Sequence, residues 1–178
     1  MGQYFKAIMK TLNGKNVVFK NPKNYLKLME HSWYKNTFVN SITELLYHSP
    51  AQISWVGDYA DKNTESYRIA YNKKAQTIIP DPSTFNLDNK FLVNHSKKTY
   101  IDINKYKMLS KDPDGEIVHP LPLLTAEGNG EGGGDYYSES HFNDVGLWAM
   151  DLVSVEDEIP NGYSEFEVFF IENYYKIG

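Results

Sequence analysis

The chain of 178 residues has no cysteine, a single arginine (Arg68) and no run of 18 apolar residues. The first absence excludes disulfides, thiolate zinc sites and cysteine nucleophiles. The second makes sequence-specific nucleic-acid binding a poor expectation, because base-edge readout and phosphate clamping both favour the bidentate guanidinium. The third leaves no segment for a membrane-spanning helix. The opening "MGQYFKAIMKTLNGK" lacks the apolar core of a signal peptide and has Lys6 where a myristoylation signal wants Ser or Thr. The expectation is a soluble, cytoplasmic protein without a membrane partner.

What is present argues for a packed globule. Hydrophobic residues make up 41% and aromatics 15%, with 14 tyrosines supplying most of the latter. That suits one domain over residues 1–178 and leans toward β structure, where tyrosine fits a half-buried pleated surface. Charge is distributed unevenly. Residues 1–111 hold 17 of the 18 basic residues against eight acids, whereas residues 112–178 hold Lys176 against fifteen acids. Two readings stand side by side: basic and acidic strands neutralise each other within one sheet, or an acidic face steers a basic partner.

Along the chain, "QYFKAIMKTL" and "VVFK" alternate around Asn13-Gly14 as a hairpin. Residues 21–36 read as loop plus a short strand. "TFVNSITELLYH" is the one main helix, near 37–48, with Phe38, Ile42, Leu45 and Leu46 on its buried face and Ser49-Pro50 as its stop. "AQISWVGDYAD" reads as a strand ending at Gly57, "SYRIAYN" as a strand or a helical turn, and "IIPDPSTFNLDN" as loop. "KFLVNHSKKTYIDI" is a second hairpin, and two further strands flank Pro160-Asn161-Gly162. Trp55, Trp148, Leu152 and Phe170 are candidate core residues. The sum is an α+β domain, antiparallel and β-rich, with hairpin-connected strands.

Five of the 12 glycines crowd into "AEGNGEGGGDY". A phosphate-cradling nest is disfavoured by Glu127, Glu131 and Asp135 and by the missing Lys-Ser/Thr of a P-loop. A Ca²⁺ or Mg²⁺ site is the second possibility. Glu127, Asn129, Glu131 and Asp135 fall at positions 1, 3, 5 and 9 of an EF-hand-like spacing with Gly132 at 6, but Ser138 stands where the bidentate Glu belongs. The third is a surface loop between strands. No complete catalytic motif is present, and a resident cofactor is not expected.

The stretches "MGQYFKA", "LKLMEHSW", "WVGDYAD", "LVNHSKKTYID" and "HPLPLLTAEGNGEGGGDY" resemble a family of small uncharacterised proteins of bacteriophages, prophages and other mobile elements. The likeness covers most of the chain and implies no activity. It does imply that four motifs mark one functional surface: Glu30 and His31; Asp58, Tyr59 and Asp61; Asn94 and His95; and Gly128, Asn129, Gly130, Gly132, Gly133, Gly134, Asp135 and Tyr136. A phage-type accessory protein would bind and block a host protein or complex in the bacterial cytoplasm, for example a host-defence system such as CRISPR. The alternative is a small protein that binds or hydrolyses a nucleotide or nucleotide signal, with metal assistance, around the glycine-rich loop.

Overall fold

The computed structural model describes residues 2–128, 136 and 143–170. It is an α+β fold whose centre is set by local pattern. Asn13-Gly14 turns β1 (Phe5–Thr11) into β2 (Asn16–Phe19). Gly14 takes φ +83°, a conformation that glycine adopts without steric cost. After α1 (Leu28–His31) comes the longest described helix, α2 (Thr37–His48). Its N-cap is Asn36, whose Oδ1 accepts from the amides of Phe38 and Val39 at 3.0 and 3.1 Å.

The chain then forms β3 (Ala51–Gly57), α3 (Glu65–Ala70) and β4 (Gln76–Ile78). The second hairpin is β5 (Phe91–Asn94) and β6 (Thr99–Asp102), followed by α4 (Ile103–Leu109) and α5 (Pro120–Leu124). Three more strands complete it: β7 (Ala126–Glu127), β8 (Leu152–Glu156) and β9 (Ser164–Glu165).

These strands make one sheet in the order β4-β2-β1-β3-β8-β5-β6-β9, with β7 beside β3. The central pairings, β2 to β1, β1 to β3, β3 to β8, β8 to β5 and β5 to β6, are antiparallel. Three short additions are parallel: β4 on β2, β7 on β3 and β9 on β6. Each arrives after a longer excursion of the chain, as a parallel neighbour must.

The sheet buries both faces. Phe5, Ala7, Met9, Val17 and Phe19 point to the side covered by α2, while Ile8, Val18 and Val56 meet Ile69 and Ala70 of α3. Full burial of such a side chain is worth about 1.5–3 kcal/mol.

Several expectations are corrected. Residues 21–36 contain α1 in place of a strand, because the Glu30 carboxylate reaches back to the Lys27 amide at 3.0 Å and closes a helical turn. Leu45 is 42% exposed; the buried arc of α2 is Phe38, Val39, Ile42 and Leu46, and Leu45 falls at its edge. Trp55, Trp148 and Phe170 are buried, but Leu152 is only half-buried. Trp148 lies in a turn segment, held by its amide on the Leu124 carbonyl at 2.7 Å, and not in a strand. β8 and β9 flank the Pro160–Gly162 turn without pairing with each other. Among the described residues no helix is long and apolar enough to cross a membrane.

Candidate ligand cavity

The site begins where two strands part. β1 pairs with β3 as far as Phe5↔Gly57, but its ladder with β2 stops at Ala7↔Phe19. Beyond Phe19 the chain is pulled toward β4, with the Lys20 amide on the Ile78 carbonyl at 2.8 Å. It returns only at Leu26, whose carbonyl accepts from the Phe5 amide at 3.0 Å. Between these two anchors a cavity of about 630 Å³ opens. Phe5, Phe19 and Phe38 wall it from the α2 side and Val18, Ala70 and Tyr71 from the α3 side, with Leu26 contributed by the loop.

Apart from His31 Nδ1, Asn21 and His31 present polar atoms to this lining that are already committed. The Asn21 side chain donates to the Tyr25 carbonyl at 3.2 Å and accepts from the Lys23 amide at 3.0 Å. His31, also buried, accepts at Nε2 from the Trp55 indole N–H at 3.0 Å. That bond places the proton of the neutral ring on Nδ1. The carbonyls of Lys27 and Tyr25 lie close enough to favour the charged ring, yet neither completes a hydrogen bond to Nδ1. Desolvation dominates and lowers the His31 pKa to about 4, so the imidazole is neutral at pH 7.

Lys6, Lys20 and Lys73 line the cavity, with Asp58 as the one acid among its lining residues. Asp58 Oδ1 accepts from the Tyr4 amide at 3.0 Å. Lys6 Nζ reaches the Ala70 carbonyl at 3.4 Å and lies 4.4 Å from the centre of the Tyr71 ring. Tyr67 stacks on the same ring at 4.5 Å. The Tyr71 ring is therefore already engaged by two of the protein's own groups. Burial, with the charge of Asp58, pushes its phenol upward.

Of the residues singled out by sequence, His31 and Asp58 meet in this lining. Glu30 is exposed and spends its carboxylate on α1. Tyr59 is half-buried, and Asp61 is an exposed turn residue whose carboxylate accepts from the Asn63 amide at 2.9 Å. Gly57 and Gly128 approach each other around buried Gln3, and a Cβ on either would stand 2.0 or 2.4 Å from Gln3 Oε1. Close approach, not a turn, requires glycine at these two positions. Tyr136 is fully buried, its hydroxyl 3.2 Å from Ser32 Oγ, so this tyrosine is core and not contact surface.

Asn94 and His95 lie elsewhere. Asn94 pairs with Val153, which pairs with Ala51, six residues up β3 from Gly57 and hence roughly 20 Å from the cavity end of that strand. The Asn94 amide donates to Asp151 at 2.8 Å. His95 sits 2.9 Å from the Tyr163 hydroxyl and 2.7 Å from Ser154 Oγ, which donates to Glu156 at 2.7 Å. The serine proton is directed at a carboxylate and away from the imidazole, so this is a structural chain and not an activated nucleophile.

Glu127 accepts from Ser54 Oγ at 2.9 Å. Asn129, Gly130, Glu131, Gly132, Gly133, Gly134 and Asp135 lie outside the described residues. Among the described residues no three His, Asp or Glu side chains gather as metal ligands.

Lys20, Lys73 and Tyr71 were missed by sequence reasoning. The available signal was local charge: residues 1–36 carry seven lysines and one acid, Glu30. No protein-family model, no curated protein and no solved structure matches the chain.

Proposed function

We propose that the protein binds a small, largely apolar molecule in the cavity between β1 and β2. The observation that carries this reading is an aromatic and aliphatic hollow of about 630 Å³ in which the Asn21 side chain and His31 Nε2 are already bonded and His31 Nδ1 is left as a buried open donor. That size falls within the usual range of ligand pockets, and protein interiors otherwise leave few voids larger than a water molecule. Of the two functions expected from sequence, blocking of a host macromolecule and binding or hydrolysis of a nucleotide around the glycine-rich loop, this reading shares with the second only that a small molecule is bound, at a different place and of a different class. Its walls also favour a body poorer in hydrogen-bonding groups than a nucleobase, whose edges would find Asn21 and His31 Nε2 engaged and a single open donor at His31 Nδ1.

The test uses a neutral apolar fluorophore, N-phenyl-1-naphthylamine. Saturable one-to-one binding with enhanced emission is expected, and Ala70→Trp, which fills the hollow from the α3 wall, should abolish it while the folded circular-dichroism signal persists. Unsaturable binding, or binding indifferent to a folded Ala70→Trp variant, would sink the proposal. If that variant does not fold, Val18→Phe fills the same wall and is read in the same way.

A further inference from the structure

We infer that the ligand carries one negatively charged head, held between Lys20 and Lys73 at the mouth of the cavity; this rests on the binding function proposed above. The lining has three lysines against the single carboxylate of Asp58, and His31 is neutral. Lys6 is occupied by the Ala70 carbonyl and the Tyr71 ring. Lys20 and Lys73 are different. Both are exposed, and neither side chain has a hydrogen bond or ion pair with a described residue. Lys20 follows the last residue of β2 and Lys73 stands in the turn between α3 and β4, so separate segments bring them to one cavity.

An ammonium at the lip of an apolar hollow selects an anion whose body is apolar. The head stays at the wet rim, where it keeps part of its hydration, while the body leaves water. The lysine excess of residues 1–36 adds a longer-range field of the same sign, which raises the local concentration of anions. Two facts argue against a nucleotide as the anion: the Tyr71 ring is already engaged by Lys6 and Tyr67, and the Asn21 side chain and His31 Nε2 are bonded, which leaves His31 Nδ1 as a lone open donor. An acyl carboxylate or an aryl phosphate shares the required chemistry, an anionic end on an apolar body.

A matched pair of probes tests this. N-phenyl-1-naphthylamine and 8-anilino-1-naphthalenesulfonate have the same aromatic body, and only the second carries a charge. The expected result is that the sulfonate binds about tenfold more tightly at low salt. The Lys20→Met, Lys73→Met double variant should erase that advantage and leave the affinity of the neutral probe unchanged. Dodecanoate and 1-naphthyl phosphate, used as competitors, separate the acyl from the aryl source, and displacement by either supports the inference. The inference fails if the sulfonate has no advantage, if the double variant weakens both probes equally, or if neutral dodecanol displaces as well as dodecanoate. Failure of both probes to bind at all would instead overturn the binding function itself.

Discussion

The two ends of the sheet treat the same lysine-rich segment in opposite ways. At the β5–β6 end, lysines meet the acidic C-terminal segment: Lys90 reaches Asp157 at 2.8 Å, Lys105 reaches Glu165 at 3.1 Å and also Glu167, and Lys97 bonds Asp151. At the β1–β2 end, Lys20 and Lys73 flank a hollow and have no acidic partner among the described residues. The uneven charge of the sequence is therefore paired off at one end, whereas at the other Lys10 of β1 meets Glu65 but Lys20 and Lys73 are left open. An ion-paired sheet edge and a ligand mouth are built from the same residue type, and what separates them is whether an acidic strand arrives alongside.

The largest expected effect comes from breaking the floor beneath the open end. Trp55 is fully buried in β3, and its indole N–H donates to the His31 imidazole. Trp55→Ala should cost about 3–5 kcal/mol in urea denaturation, from the emptied volume and the lost bond together. Trp55→Phe keeps most of the volume and should cost clearly less. A loss below about 1 kcal/mol for the alanine variant would show that the open end is not underlaid by packed core.

Much of this fold was legible in the sequence, and the reason is locality. The α2 helix follows from a 3.6-residue face and a Ser-Pro stop, and both hairpins follow from turn residues between alternating runs. The parallel additions β4, β7 and β9 are two or three residues long and owe their pairing to tertiary position, which no local pattern encodes. The cavity was illegible for a similar reason. It exists because one ladder ends two residues before its neighbour does, and that mismatch is not a property of any stretch. His31 and Asp58 stand out as members of the motifs shared in the family resemblance, Asp58 just after a strand; the phenylalanine walls that give the hollow its character look like ordinary core.

Acidification should separate the dry core from the ion-paired end by pH window. His31 and His119 are both desolvated, with pKa values lowered to about 4 and about 3. A histidine depressed below its unfolded value of 6.5 contributes stability fully above pH 6.5 and loses it as pH falls toward the folded value. The slope is about 1.4 kcal/mol per pH unit for each histidine. Asp88 and Asp157 are held down by Lys107 and Lys90, so their contribution is intact above the ordinary aspartate range and is lost only below it. Between pH 6.5 and 5 the loss should therefore belong to the histidines. His119 caps α5 through Nδ1 on the Leu121 amide at 3.1 Å, a bond that asparagine can imitate. His119→Asn should reduce the loss over that window by about 2 kcal/mol. An unchanged pH profile would mean that His119 is not the neutral, desolvated group described.

The smallest expected effect lies at the ion-paired end, and it is the one that sharpens the contrast most. Asp151 accepts from the Asn94 amide, which is buried, and from Lys97, whose side chain is nearly half exposed. The buried amide keeps the carboxylate in place whether or not the ammonium is there. Lys97 therefore adds a screened surface attraction and pays for it in side-chain entropy, which leaves a net contribution under about 1 kcal/mol. Lys97→Met should lower the urea midpoint slightly at low salt and not measurably at 1 M salt, where screening shortens to about 3 Å. Lys20→Met should show the reverse pattern: no change in the urea midpoint at either salt, because no partner is lost, and a weaker hold on the anionic probe. If Lys97→Met destabilises by several kcal/mol, the lysines of that end are structural in a way surface ion pairs are not, and the two ends differ in more than the arrival of acidic strands.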